Sequence, residues 1–163
     1  MNPPETPQSS YEFEIFADYY QIHLQDEAAE GNLFTSWNKE AIDNLFAIAP
    51  GIIGIGTVRN SDVPLKVIIT KSRPLHDNFV DWDHIIEVSM QIPSGKIIIA
   101  SPSDYLPDAA RILVEPGTYR ARIYYGKLES ISEDGLEGDD HYQVVLWPEA
   151  YKSPDILKQR RVP

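Results

Sequence analysis

One segment of the sequence concentrates side chains that could bind a metal or a partner. Residues 129–140 carry six carboxylates and no lysine or arginine; the six are Glu129, Glu133, Asp134, Glu137, Asp139 and Asp140. Three interpretations fit this pattern: a solvated loop, a calcium site built from carboxylate oxygens, or a docking surface for a basic protein. The spacing departs from the helix-loop-helix calcium motif, which disfavours a calcium site. Of the other two interpretations we predict that these six residues bind a partner, with a solvated loop as the alternative. Internal salt bridges to Arg120 and Arg122 would remove the basis for this prediction.

The sequence lacks the motifs of the common catalytic sites. It contains no cysteine, no serine within a G-x-S-x-G elbow and no phosphate-binding P-loop. Gly51, Gly54 and Gly56 do not match a dinucleotide-binding motif, since that motif joins a strand to a following helix and here a predicted helix comes first. We therefore predict a non-enzymatic protein with no catalytic residue and no cofactor.

The four histidines offer one further place where metal chemistry could occur. They are His23, His76, His84 and His141, and no two have the i, i+4 spacing of a zinc-binding helix. His76-Asp77 and Asp81-Trp82-Asp83-His84 place imidazole and carboxylate groups close together in sequence, where they could hold a transition metal. The alternative is a polar loop with Trp82 packed onto the body of the protein. We predict no metal site.

The overall charge indicates the class of partner. Fourteen basic and 25 acidic residues give a net charge of −11, which disfavours direct binding to nucleic acid and favours a basic protein, such as a nuclease. Residues 1–10 lack the apolar run of a signal peptide, and the longest apolar stretch, residues 48–58, is too short to span a membrane. We therefore expect a cytoplasmic protein without a membrane segment.

The elements that must position the acidic segment are mainly strands. Apolar residues recur at helical spacing only in residues 37–49, where Ser36 or Asn38 could cap a helix that ends at Pro50. Elsewhere apolar and polar residues alternate with the period of two that is typical of half-buried strands. Turn residues at 93–95 and 116–117 predict two hairpins. Residues 129–140 should form an exposed loop between two neighbouring strands, residues 118–127 and 141–147.

These elements predict a mostly β protein, an antiparallel β-sandwich of about eight or nine strands with one short α-helix. Its domain should cover residues 11–150, after a disordered lead-in of residues 1–10 and before a C-terminal tail of residues 151–163. Since no long linker or composition shift divides the middle of the chain, one domain is expected.

Several short motifs resemble those of a known family. The motifs are Asp18-Tyr19-Tyr20-Gln21, Trp37 before a helix with Ala41 and Ala47, Gly51-Ile52, Arg59-Asn60 before Val63, and the turn Pro116-Gly117-Thr118-Tyr119. In this order they resemble the bacterial competence protein J family, small proteins that inhibit a DNA-entry nuclease. The resemblance implies an intracellular inhibitor, but it assigns no contact residue and does not include the acidic segment.

Two functions fit these observations. The first is a non-enzymatic acidic binding protein, an inhibitor or immunity-type protein for a basic partner such as a nuclease. The second is a β-sandwich that binds a small molecule or carbohydrate, with or without calcium. It is suggested by aromatic residues that could stack on sugars, namely Tyr19, Tyr20, Trp82, Tyr105, Tyr124, Tyr125, Tyr142 and Trp147.

Overall fold

The computed structural model describes residues 9–74 and 78–162, which form two β-sheets and one α-helix. The strands are β1 (Ser9–Phe16), β2 (Gln21–Asp26), β3 (Phe46–Ala49), β4 (Ile52–Gly56), β5 (Asp62–Ile69), β6 (His84–Ile92), β7 (Lys96–Ala100), β8 (Ala110–Leu113), β9 (Gly117–Gly126), β10 (His141–Pro148) and β11 (Asp155–Lys158). The helix is α1 (Lys39–Asn44). The first sheet has the order β1-β5-β10-β9-β6-β11, and the second has the order β3-β4-β2-β7-β8.

The two sheets pack through their apolar faces. Strand β6 shows how the alternation works, because Ile86, Val88 and Met90 all lie in the core. They share that core with residues of the second sheet, such as Ile22 and Leu24 of β2. Removing this apolar surface from water is the main term that holds the sheets together, at roughly 25 cal/mol per Å² of buried area.

The predicted β-sandwich with one short helix is confirmed, and two details differ. The described residues form eleven strands rather than eight or nine. Strands β5 and β10 pair in parallel, with Val144 opposite Val67, while the other strand pairs are antiparallel. Local alternation could not reveal the parallel pair, because its two strands are far apart in the chain.

The helix is shorter than predicted. It begins after Asn38, whose Oδ1 accepts the N–H of Ala41 at 2.9 Å, as expected of a cap. It ends at Leu45, which takes a left-handed conformation with φ of 59°. Residues 46–49 then form β3 rather than one more helical turn, because their backbone pairs with β4. Within the described ranges, no helix is both long and apolar enough to cross a membrane.

Both predicted hairpins are wrong in the same way. The turn at residues 93–95 joins β6 of the first sheet to β7 of the second, and the turn at residues 114–116 joins β8 to β9 across the same gap. The two turns contact each other, since the N–H of Val114 donates to the carbonyl oxygen of Gly95 at 2.9 Å. Turn residues indicate where the chain reverses but not which sheet receives the next strand.

The sheets also extend into both predicted terminal segments. Strand β1 starts at Ser9, within the expected lead-in, of which residues 1–8 lie outside the described residues. Strand β11 lies within the expected tail and pairs with β6, with Ile156 opposite Ile86. The tail is held further by Arg120, whose Nη1 donates to the carbonyl oxygen of Lys152 at 2.8 Å.

Candidate functional site

The segment Glu129–Asp140, here called the acidic loop, lies where the sequence predicted it. It connects β9 to β10, which pair antiparallel with His141 opposite Gly126. Its start is fixed by Asp83, whose Oδ2 accepts the N–H of Leu128 at 2.7 Å. The loop therefore projects from one end of the first sheet on two neighbouring strands.

Asp140 supports this loop from beneath instead of belonging to its exposed surface. The residue is only 1% exposed, so its predicted place among solvent-facing carboxylates is wrong. Its Oδ1 accepts the Nε–H of Arg59 at 2.6 Å, and its Oδ2 accepts the hydroxyl of Tyr142 at 2.7 Å. Arg59 also donates to the carbonyl oxygen of Leu136 at 3.3 Å. Burial, together with the Asp140 carboxylate, raises the pKa of Tyr142, which keeps its phenol protonated.

Serine and aspartate side chains set the shape of the loop itself. The N–H of Ser132 donates to the carbonyl oxygen of Glu137 at 2.8 Å, and Ser130 Oγ accepts the N–H of Asp139 at 2.8 Å. Asp134 Oδ1 accepts the hydroxyl of Ser132 at 2.6 Å and the N–H of Leu136 at 3.0 Å. These hydrogen bonds lower the pKa of Asp134, and the one from Ser132 has the largest effect. The carboxylate therefore stays ionised at neutral pH.

The remaining five carboxylates face solvent, and none forms an ion pair within residues 9–74 and 78–162. They are Glu129, Glu133, Asp134, Glu137 and Asp139. Arg120 and Arg122, the cations that could have neutralised them, lie on the outer face of the first sheet and bind Glu87 at 3.1 and 2.8 Å. Burial alone would raise the pKa of Glu87, but the arginine hydrogen bonds lower it. Among the described residues, Arg120 and Arg122 therefore do not form the internal salt bridges to the acidic loop that would have removed the basis for a binding role.

A second exposed feature lies at the same end of the sandwich. It is the 3₁₀ turn Asp18–Tyr20, here called the tyrosine turn, between β1 and β2. Tyr19 and Tyr20 have φ angles of 56° and 61°, a left-handed conformation that is unfavourable for tyrosine, and their side chains are 71% and 54% exposed. The period-two alternation of residues 18–25 predicts a strand here, and a strand would not expose two consecutive rings on the same surface.

A short series of hydrogen bonds connects the tyrosine turn to the acidic loop. The carbonyl oxygen of Tyr20 accepts the N–H of Thr57 at 2.9 Å, and Thr57 Oγ1 donates to the carbonyl oxygen of Arg59 at 2.8 Å. Arg59 in turn binds Asp140 at the base of the loop. One segment, residues 57–59, thus supports both features, which together form the surface we call the acidic end.

The acidic residues near position 26 do not belong to this surface. Asp26 Oδ1 accepts the N–H and the hydroxyl of Ser94, two residues after the end of β6. The acidic loop instead starts next to Leu128, which binds Asp83, one residue before the start of β6. Since β6 has nine residues, it separates the two sites by about 30 Å.

The aromatic residues give little support to a sugar-binding face. Tyr124, Tyr125, Tyr142 and Trp147 are all buried. Trp82 is partly buried against Tyr124, with 5.1 Å between ring centroids, as expected of a loop residue packed onto the body. Three aromatics of the proposed set remain exposed: Tyr19, Tyr20 and Tyr105.

The histidine-containing segment, residues 76–84, lies partly outside the described residues. His76 and Asp77 lie outside the described residues. The described residues contain no group of three or more histidine, aspartate or glutamate side chains arranged to hold a metal ion. His84 is buried, with Nε2 at 2.7 Å from the carbonyl oxygen of Asn44 and Nδ1 at 3.0 Å from the N–H of Arg160. Through these two hydrogen bonds, His84 connects β6 to the end of α1 and to residues 151–162, here called the C-terminal segment.

Comparison with known proteins identifies a fold. No protein-family profile matches the chain, and no curated protein shows significant sequence similarity. Among solved structures, ComJ from Bacillus subtilis, inhibitor of the DNA degrading activity of NucA, matches with a TM-score of 0.64 at 18% identity, over 88% of this chain and 99% of ComJ. The structure described as crocagin biosynthetic gene J matches with a TM-score of 0.62 at 21% identity, over 88% of this chain and 99% of its own. The chain therefore has a ComJ-like fold, as the sequence motifs suggested.

Proposed function

We propose that this protein is a cytoplasmic, non-enzymatic inhibitor or immunity-type protein, and that its acidic end binds the basic face of a protein partner such as a nuclease. The observation that carries the proposal is the set of five exposed carboxylates that form no ion pair with the described residues, on a loop held in shape by its own hydrogen bonds. The inhibitor role of ComJ, which shares the fold, supports the same class of function.

The fixed shape of the acidic loop favours binding. A loop already ordered in the free protein loses little conformational entropy when it binds, so more of the interaction energy appears as affinity. Carboxylates of one sign also attract a basic protein before contact, which raises the association rate at low salt. The partner's arginines and lysines would supply the counter-charges that the described part of this chain does not provide.

The tyrosine turn gives this surface an aromatic contact beside the charges. Protein interfaces commonly combine an aromatic centre with a polar rim, and tyrosine is enriched among the residues that contribute most to affinity. Two tyrosines held in a left-handed conformation are costly to the fold, and such strain tends to occur at binding sites. We therefore include Tyr19 and Tyr20 in the proposed interface.

A charge-neutralised variant tests the proposal. Five substitutions, Glu129→Gln, Glu133→Gln, Asp134→Asn, Glu137→Gln and Asp139→Asn, change the net charge from −11 to −6 and keep the buried Asp140. The wild-type protein should capture a basic nuclease from its host at low salt and block plasmid degradation by that nuclease. The variant should bind at least ~10-fold more weakly with an unchanged unfolding midpoint, because exposed unpaired charges add little to stability.

A matched control separates the loop from the net charge. The control neutralises five exposed carboxylates elsewhere: Glu12, Glu14, Asp108, Glu115 and Asp155. It should bind and inhibit as the wild type does. Equal loss of partner binding in both variants would mean that overall charge, and not the acidic loop, causes the effect. Partner binding that does not weaken at high salt would contradict the electrostatic account.

A second variant in the same assay tests the tyrosine turn. Glycine adopts positive φ without strain, so replacing Tyr19 and Tyr20 by glycine should not lower the unfolding midpoint. Weaker inhibition by this variant would assign the rings to the interface. Undiminished inhibition would remove the tyrosine turn from the proposed surface.

A further inference from the structure

Strand β3 differs from the other outer strands of the two sheets. The outer strands are β1 and β11 in the first sheet and β3 and β8 in the second. Charged residues interrupt the others: Glu12 and Glu14 in β1, Arg111 in β8, and Asp155 and Lys158 in β11. The sequence of β3, Phe-Ala-Ile-Ala, contains no charge and no proline. Natural proteins protect free strand edges with such residues, so an unprotected edge is a ready template for another strand.

The register shows which backbone groups of β3 are free to pair. The N–H of Gly56 donates to the carbonyl oxygen of Leu45 at 2.8 Å, next to the pair formed by Phe46 and Ile55. Because antiparallel residues alternate between facing the partner strand and facing away, the N–H and C=O groups of Phe46 and Ile48 point away from β4. In the described ranges β3 pairs with no second strand.

This edge opens onto a groove. Two cavities, of about 340 and 830 Å³, adjoin at Ile48. The opposite wall is the C-terminal segment, which contributes Tyr151 to the larger cavity and Ile156 to the smaller. Ile48, Tyr151 and Ile156 are 38%, 67% and 37% exposed, so apolar surface on both walls remains in contact with water.

The charged residues that line the groove are all acidic. Asp26, Glu30 and Glu40 are the charged residues that line the two cavities, and neither cavity is lined by lysine or arginine. A basic occupant would therefore be favoured over an acidic one. An occupant must also satisfy free backbone groups and cover small apolar residues, which is what an extended peptide does when it adds a strand to a sheet.

We propose that the groove between β3 and the C-terminal segment binds an extended peptide segment of a partner protein as an added strand, with small apolar residues flanked by lysine or arginine. The main-chain groups of Phe46 and Ile48 would hold the peptide backbone, and Ile48, Tyr151 and Ile156 would cover its side chains. This site lies outside the acidic end and does not depend on the function proposed above.

Backbone hydrogen exchange with a defined peptide tests this site. The probe is acetyl-Lys-Val-Ala-Val-Ala-Val-Lys-amide, added to the full, isotope-labelled chain and followed by NMR. Exchange of the Phe46 and Ile48 amides should slow at least ~10-fold at saturating peptide, because those amides become hydrogen-bonded in a new strand pair. The control peptide replaces both alanines by proline, which keeps the charge but removes two backbone donors.

Two variants locate the effect. Ile48→Lys places a charge on the β3 edge and should abolish the protection. Leu113→Lys makes the same change on the β8 edge, where Leu113 is 71% exposed, and should leave the protection intact. Unfolding midpoints of both variants near the wild-type value would show that neither loses the fold.

Three results would overturn the proposal. Equal binding of the proline peptide would mean that charge alone attracts the probe. Slowed exchange in the acidic loop instead of β3 would place the peptide at the other surface. Protection of Phe46 and Ile48 that rises with protein concentration in the absence of peptide would identify the occupant as a second copy of this chain.

Discussion

Two segments of this chain both carry several carboxylates, but they differ in how many of those carboxylates are buried, paired or exposed. In the segment Asp26–Glu30, Asp26 is buried and accepts hydrogen bonds from Ser94 and Ala28, while Glu27 pairs with Arg111 at 2.6 Å. In the acidic loop, Asp140 is likewise buried, against Arg59, but the other five carboxylates are exposed and have no ion-pair partner in the described part of the chain.

The difference shows that each segment buries one carboxylate that builds its loop. The acidic loop keeps five exposed carboxylates without an ion pair among the described residues, whereas the segment Asp26–Glu30 keeps one, Glu30. A buried carboxylate needs donors close by, because the cost of removing it from water is otherwise not repaid. Exposed carboxylates need none, and they gain a role only if a partner supplies the counter-charge. Substituting a buried carboxylate should therefore lower the free energy of unfolding much more than substituting an exposed one.

The largest effect is expected when Asp140 is replaced by alanine. The change leaves Arg59, which is 8% exposed, without its carboxylate, and Tyr142 without its acceptor. Breaking a buried ion pair from one side costs about 3–5 kcal/mol. We expect a loss of this size in the free energy of unfolding, measured by urea denaturation. Asp139→Ala, one residue away and exposed, should leave the stability close to that of the wild type; similar losses in both would contradict the distinction.

A smaller loss is expected for Asp26→Ala. This substitution leaves three donors without their acceptor: the N–H and hydroxyl of Ser94 and the N–H of Ala28. An unsatisfied buried polar group costs about 1–3 kcal/mol, and water entering from the adjacent groove should keep the loss near that range. The exposed Glu30 provides the matched control, Glu30→Ala, with no expected change in urea denaturation. Equal stability of the Asp26 variant and the wild type would show that these hydrogen bonds contribute nothing net.

The sequence could predict the fold class and the position of the acidic loop because both follow from local patterns. Alternating strands and a polar, glycine-broken connection between two of them depend on neighbouring residues only. The burial of Asp140 depends instead on Arg59, which is distant in sequence, and no local pattern distinguishes Asp140 from Asp139. The residues of β3 read as a helix for a related reason, since pairing with β4 overrides their apolar spacing.

The tyrosine turn was missed for a different reason. Its residues alternate with the period of a strand, and consecutive left-handed tyrosines contradict the usual preference of the residue. Places where local preference fails in this way are often functional, and here the exception lies beside the acidic loop. The short motif around Tyr19 that resembles the competence protein J family was the sequence signal for this position.

The smallest of the three effects concerns pH and the base of the acidic end. His84 follows Asp83, which holds the start of the acidic loop. Because the N–H of Arg160 can only donate, Nδ1 of His84 must be unprotonated, and its proton lies on Nε2 facing the carbonyl oxygen of Asn44. Burial lowers the pKa of His84, as does the charge of Arg160, against the raising effect of the Asn44 carbonyl. The neutral ring is therefore the form that fits the fold.

This lowered pKa sets the direction of the pH effect on stability. Below the unfolded pKa of about 6.5, the unfolded chain binds a proton that folded His84 takes up less readily. The contribution of His84 is thus fully present above about pH 6.5 and is lost as the pH falls. We expect the thermal unfolding midpoint to fall from about pH 7.5 to about pH 5.5, and His84→Gln to show a smaller fall. His23, whose pKa burial also lowers, supplies the comparison: if His23→Gln flattens the profile and His84→Gln does not, the pH response belongs to β2 and not to the base of the acidic end.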